Sequence, residues 1–168
     1  LANKFCERSN LSNEASVEQF FLTRLIEDLG YADSQIKPKT SLSAIAVNLG
    51  RRRVNYKPDY ALLYRAKPRW IADAKAPGEE LDEWVGQCSG YCLGLNRGYQ
   101  TDDPVQLFLL SNGDVTRVYR WNVAEPLLEL EFSDFEDGNP RFVALQALLR
   151  PSAFAAGSGP DSPPTHTL

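Results

Sequence analysis

Between residues 59 and 95 the hydrophobic period changes, and this change commits the chain to a fold that mixes strands with helices. "DYALLY" and "RWIADAKA" are short, apolar and rich in aromatic residues, and they read as two strands joined through "RAKPR", whose proline marks the turn. After "APGEE" the residues Leu81, Trp84, Val85, Cys88, Tyr91, Cys92 and Leu95 recur every three or four positions, the period of a helix with one buried face. A second helical pattern runs through Val17, Phe20, Phe21, Leu25 and Leu29 and stops at Gly30, with Ser16 and Gln19 as a capping box or a start nearer Ser12. "SLSAIAVNL" predicts a strand, and "GRRRVNY" continues into the next one. "VQLFLLSNGDVTRVYRW" predicts a hairpin turning at Asn112-Gly113, and "LLELEF" a further strand. The order helix, strands, helix, strands predicts an α/β fold, a central mixed β-sheet flanked by helices.

A chain of 168 residues suits one domain with a sizeable core. Residues 1–12 carry no period and read as an N-terminal arm, residues 13–149 as the domain. Residues 150–168, rich in Pro, Gly and Ser, read as a linker or disordered tail. No apolar run approaches the roughly 20 residues that span a bilayer and no charged-then-apolar leader opens the chain, so a soluble protein with no membrane partner is expected. Cys88 and Cys92 lie one helical turn apart on one face, which suits buried thiols and a reducing cytoplasm. The single histidine, His166, is in the tail, which leaves a zinc site short of ligands.

Net charge is −4, yet the stretch from Gly50 to Lys75 holds Arg51, Arg52, Arg53, Lys57, Arg65, Lys67, Arg69 and Lys75 against only Asp59 and Asp73. A basic face on an acidic body can hold phosphates, and a solvated charged hairpin is the plain alternative.

The acids in this stretch sit within apolar runs. Side chains two apart on a strand share a face, so Asp73 and Lys75 point the same way. A turn centred near Lys67 would set Asp59 opposite Lys75 and Ala61 opposite Asp73, with all four on one face and the small Ala61 leaving space beside Asp73. Asp59 and Asp73 would then be diagonal neighbours, able to close around one ion. Two carboxylates this close repel unless a cation lies between them, and hard oxygen ligands with room for water favour Mg²⁺ or Mn²⁺. An ammonium beside that pair could orient an attacking water and stabilise charge on a phosphate, the parts needed for metal-assisted phosphodiester hydrolysis. A surface salt-bridged hairpin is the plain alternative.

Pro58-Asp59 followed by Asp73-Ala74-Lys75 resembles the PD-(D/E)xK nuclease motif, and Gln87 with Tyr91 resembles the Q-x-x-x-Y extra motif of its RecB-like branch. "NEASVEQFFLTRLIEDLGY", "ADAKAPGEELDEWVGQCSGY" and "LFLLSNGDVTRVYRW" are similar to segments of the N-terminal nuclease domain of type I restriction enzyme R subunits, in consistent order over about residues 13–122. The resemblance implies a restriction-endonuclease-like core, Mg²⁺-dependent cleavage of double-stranded DNA that releases a 3′ hydroxyl, and a role in restriction or defence. The modification and specificity subunits of a restriction complex would be partners. It implies metal ligands at Asp59, Asp73 and the Ala74 carbonyl, a catalytic Lys75, and a glutamate from the first helix, Glu18 by preference and Glu14 in reserve. An exposed helical acid is the plain alternative for either. Gln87 and Tyr91 would approach the DNA backbone or buttress the site, although Tyr91 also fits the apolar helix face. Arg51, Arg52 and Arg53 would contact phosphates. The sequence has no G-x-x-x-x-G-K-[ST] loop for a motor and no methionine, which fits a trimmed nuclease domain or a stand-alone relative. Two other readings stay open: a DNA- or protein-binding module on a nuclease-like scaffold with gated or lost cleavage, and a repair or recombination exonuclease.

Overall fold

A computed structural model describes residues 2–49, 51–100 and 102–155. Six strands form the central sheet: β1 (Ile36–Pro38), β4 (Tyr60–Tyr64), β5 (Lys67–Ala74), β6 (Leu107–Ser111), β7 (Val115–Arg120) and β8 (Leu128–Glu131), lying side by side in that order. Every neighbouring pair is antiparallel except β5 and β6, which run parallel. A parallel pair needs a crossover, and α3 (Val85–Asn96), entered through a 3₁₀ turn at Leu81–Trp84, supplies it. The remaining strands, β2 (Ile45–Leu49) and β3 (Arg52–Tyr56), make a separate antiparallel hairpin. The sheet is therefore mixed and flanked by helices, as the period changes predict.

Alternation along β5 divides the core in two. Trp70, Ala72 and Ala74 face a cluster made by Val17, Phe21, Leu22, Leu25 and Ile26 of the first helix together with Phe142, Leu145 and Leu149 of α4 (Pro140–Leu149). Ile71 faces the other way, onto Cys88, Tyr91 and Cys92 of α3 and onto Val47 and Tyr56 of the hairpin. Gly90 and Gly94 let the hairpin lie close on α3. A Cβ on Gly90 would stand 3.2 Å from Val47 Cγ1, and one on Gly94 would stand 2.8 Å from Ile45 Cδ1. Cys88 and Cys92 are both buried thiols.

The first helix runs through α1 (Glu14–Ser16), a π segment (Val17–Leu22) and α2 (Thr23–Asp28). Its cap is Asn13 rather than Ser16. Asn13 Oδ1 accepts from the Ser16 amide at 2.8 Å, and Ser16 Oγ accepts from the Asn13 amide at 3.0 Å, so Ser16 is the third helical residue and not the first. The π turn centres on the Glu18 carbonyl, which takes both the Thr23 amide and, at 2.9 Å, the Thr23 hydroxyl.

Residues expected to form an arm are packed into the body. Phe5 stands edge-on to Phe21, Phe135 and Phe142, and Leu11 is buried. At the other end a 3₁₀ turn at Pro151–Phe154 buries Phe154, within the stretch read as a tail; residues 156–168 of that stretch lie outside the described residues. β1 and α4 are elements with no counterpart in the sequence reading.

The β4–β5 hairpin turns at Arg65 and Ala66, both at positive φ (52° and 63°), and not at the proline. Tyr64 pairs with Lys67, so this is a two-residue turn of the primed kind that matches strand twist. Pro68 lies inside β5 opposite Leu63, where the register slips and Arg69 becomes the extra residue of a bulge. A bulge is one of the few places a strand tolerates proline.

Candidate active site

The register decides which side chains meet. Beyond the bulge Leu62 pairs with Trp70, Ala61 with Ile71 and Tyr60 with Ala72. One step further along this ladder Asp59 comes opposite Asp73, and not opposite Lys75 as a turn centred near Lys67 would have it. The slip is two residues, so the side chains keep their face: Asp59, Ala61, Ile71, Asp73 and Lys75 still point toward α3. Ala61 lies across from Ile71, so the space beside Asp73 is not of its making. Directly opposed residues sit closer than diagonal ones, which tightens the carboxylate pair.

Both acids are 3% exposed and Lys75 is 6% exposed. Each carboxylate is fixed by a donor. Asp59 Oδ2 accepts from the Ala74 amide at 2.8 Å, and Asp73 Oδ2 accepts from the Tyr56 hydroxyl at 2.6 Å. Lys75 Nζ stands 3.1 Å from the same Asp73 oxygen, 4.0 Å from Glu14 Oε1 and 3.4 Å from the centre of the Trp84 ring. Lys39 Nζ lies 3.8 Å from Asp59 Oδ1. Burial, then the neighbouring Asp73 charge, holds Asp59 well above the usual carboxylate range, against the opposing pull of the Ala74 N–H. Burial also raises Glu14, with Lys75 pulling it down and Asp73 pushing it up. Tyr56 is pushed up by burial first and then by Cys88, whose sulfur is 3.4 Å from its hydroxyl, and by Asp73.

Two buried carboxylates set side by side make a place where a cation can stand between them. Among the described residues no three His, Cys, Asp or Glu side chains gather as a metal-binding group, so the donors available are the two aspartates and backbone oxygen such as that of Ala74. An all-oxygen set with few protein ligands fits a hard divalent cation that keeps several waters.

The other expected site residues fall into three groups. Glu14 is exposed and reaches Lys75, whereas Glu18 is half-buried beside Tyr60 and adds its charge to the field at Asp59. Gln87 and Tyr91 are buried in α3. The Tyr91 hydroxyl donates to the Ser43 carbonyl at 2.9 Å and its ring stands edge-on to Tyr56; Gln87 Oε1 has no hydrogen-bond partner among the described residues. Arg51, Arg52 and Arg53 are exposed at the hairpin. Four further residues stand at the site without having been assigned to it: the sequence places Trp84 on the apolar helix face and Lys57 in the basic stretch, and gives Tyr56 and Lys39 no role. Tyr56, Trp84, Lys39 and Lys57 line, with Asp73 and Lys75, a cavity of ≈ 320 Å³. Tyr56 and Lys57 directly precede Pro58-Asp59, and that adjacency was the available signal.

The fold is that of an α/β domain with a restriction-endonuclease-like core. Among solved structures the chain is similar to a fragment described as an HsdR subunit of a type I restriction enzyme from Vibrio vulnificus, with a TM-score of 0.50 and 19% identity over 79% of this chain. The chain spans 25% of the length of that protein, and at this identity the likeness shows the fold. No family model and no curated protein matches the sequence.

Proposed function

We propose that the chain is a metal-dependent deoxyribonuclease of the PD-(D/E)xK type, serving as the nuclease part of a restriction or related defence system. The observation that carries this reading is the convergence of Asp59, Asp73 and Lys75, all buried, at the ends of two adjoining central strands. Bound by Asp59, Asp73 and the Ala74 carbonyl, Mg²⁺ (or Mn²⁺ in its place) would lower the pKa of a water and offset charge on the phosphate. The chain's own residues do the rest. The Tyr56 hydroxyl and the Ala74 amide hold the two carboxylates in fixed orientations. Lys75, kept on the site by Asp73 and the Trp84 face, has further N–H donors to orient the attacking water and to meet the developing phosphate charge. The water oxygen bonds to phosphorus as the bond to the 3′ oxygen breaks; the water gives its proton to solvent and the departing 3′ oxygen takes one from solvent, which leaves a 5′ phosphate and a 3′ hydroxyl. Glu18 completes the acidic set from the first helix, with Glu14 as the alternative, and Gln87 and Tyr91 support the site from α3. Phosphate contacts come from the arginine-rich β2–β3 hairpin. The protein would work in the cytoplasm on double-stranded DNA beside modification and specificity subunits; among the described residues no helix is long and apolar enough to cross a membrane.

A titration of Mg²⁺ and Mn²⁺ with supercoiled DNA tests the reading. Nicking is expected to depend on the metal and to fall at least about 1,000-fold in Asp73→Ala and in Lys75→Ala, each with an unchanged far-ultraviolet circular dichroism spectrum. Full activity in either variant would remove that residue from the mechanism. Binding without nicking would leave a DNA-binding module on a nuclease-like scaffold.

A further inference from the structure

Arg51, Arg52 and Arg53 adjoin in sequence, but a strand does not treat its neighbours alike, because successive side chains point to opposite faces. Along β3, Val54 and Tyr56 turn inward. They pair with Val47 and Ile45, and all four join the cluster around Cys88 and Tyr91 of α3. Arg53 and Asn55 therefore lie on the strand face opposite Val54 and Tyr56, across from Asn48 and Ala46, and all four are exposed; at the hairpin edge Arg53 also borders a cleft with Gly94 and Arg97. The same parity carries on to Lys57, just past the strand. At about 3.3 Å per residue, Arg53, Asn55 and Lys57 form a line about 13 Å long. It ends at the cavity of ≈ 320 Å³, which both Asn55 and Lys57 line. Lys39 lines the cavity as well; it stands 3.8 Å from Asp59, and Lys75 stands between Asp73 at 3.1 Å and Glu14 at 4.0 Å, so Lys57 is the lining cation that no carboxylate offsets among the described residues. Arg53 and Lys57 stand in no ion pair among the described residues, so the line they form is positive on a chain whose net charge is −4, and an anion is drawn to it.

We propose that Arg53, Asn55 and Lys57, with Lys39, form a track that leads one DNA strand by its phosphates to Asp73 and Lys75, and that Arg52 lies off it. This rests on the nuclease reading for its ligand and divides the arginines that the sequence takes together. Arg52 has the parity of Val54 and Tyr56 and pairs with Leu49 at the hairpin end. The positive line and the cavity fit a phosphodiester backbone better than a protein surface, because side chains of both signs would be expected to meet the latter.

The test is fluorescence anisotropy with a labelled DNA duplex in EDTA, where no cleavage occurs, repeated across a salt series. Arg53→Gln, Lys57→Gln and Lys39→Gln are each expected to weaken binding about 3–10-fold and to flatten the log–log salt slope by about 0.7–0.9. Arg52→Gln is expected to change affinity less than about twofold. Equal losses at Arg52 and Arg53, wild-type binding by the Arg53 and Lys57 variants, or no DNA binding by the wild type would each overturn the track. The nuclease reading is scored separately by Mg²⁺-dependent nicking. The expected binding pattern without nicking keeps the track and removes the nuclease, whereas nicking with wild-type binding in all four variants does the reverse.

Discussion

Asp59 shows the tension that the site builds into single residues. Its carboxylate is buried against that of Asp73, and burial favours the protonated acid. An asparagine there keeps an oxygen for the Ala74 amide and offers N–H groups to Asp73 without a second charge. Asp59→Asn is therefore expected to raise the stability of the metal-free protein by about 1–3 kcal/mol while abolishing nicking. Thermal melting in EDTA checks this, and a variant that melts at or below the wild type would show that the acid pair is not under strain. The two glutamates separate by the same logic. Glu18 acts on Asp59 and Glu14 on Lys75, so Glu18→Gln is expected to raise the Mg²⁺ concentration for half-maximal nicking about tenfold, and Glu14→Gln to shift it less. The opposite order would make Glu14 the acid that completes the set. Side-chain parity alone set Asp59, Asp73 and Lys75 on one face, which is why these three were readable from "KPD" and "DAK". Tyr56 and Trp84 were not, since their roles depend on how a separate hairpin and a 3₁₀ turn pack over the strands.

At the scale of elements, the contact between α3 and the β2–β3 hairpin hangs on two glycines. The Cβ of Gly94→Ala would meet Ile45 Cγ2 at 2.9 Å as well as Cδ1 at 2.8 Å. Rotation frees the outer methyl but not both branches of a β-branched side chain. Overpacking should outweigh the helix propensity that alanine brings, and Gly94→Ala is expected to destabilise by about 1–2 kcal/mol. Combining it with Ile45→Ala should cost less than the two single changes added together. Strict additivity in urea denaturation would mean that the two residues do not press on each other. The helix itself was plain from its period, and so were β4 through β7, whereas the mixed stretch 31–56 gave no sign that β2 and β3 pair as a hairpin. Registers were not. The β4–β5 turn uses Arg65 and Ala66 at positive φ, where neither residue type announces a primed turn, so the proline drew attention and the pairing came out two residues off. α4 had a start signal in Asn139-Pro140, where the Asn139 side chain accepts from the Arg141 amide at 2.9 Å; β1 spans three residues, too few for any period.

Across the whole molecule the two faces of the sheet are tied down differently. On the α4 side a relay crosses the core: Trp70 Nε1 donates to the Tyr31 hydroxyl at 2.8 Å, which donates to the Leu149 carbonyl at 2.5 Å. Tyr31→Phe leaves a buried indole N–H and a carbonyl without this partner, and a loss of about 2–3 kcal/mol is expected by urea denaturation. A loss under about 0.5 kcal/mol would mean that water fills the relay. Phe5, Leu11 and Phe154 close the same side, so residues near both ends of the described chain serve one core. On the opposite side the hairpin makes no ladder pairing with the six-stranded sheet among the described residues; it rests on α3 by side-chain packing and reaches β5 through the Tyr56 hydroxyl on Asp73. That separation has an evolutionary reading. A hairpin outside the ladder can lengthen, shorten or exchange its charges without disturbing the pairing that sets Asp59 against Asp73. Under the proposed function, the outer charges of this hairpin are where substrate preference can change while Asp59 and Asp73 stay in register.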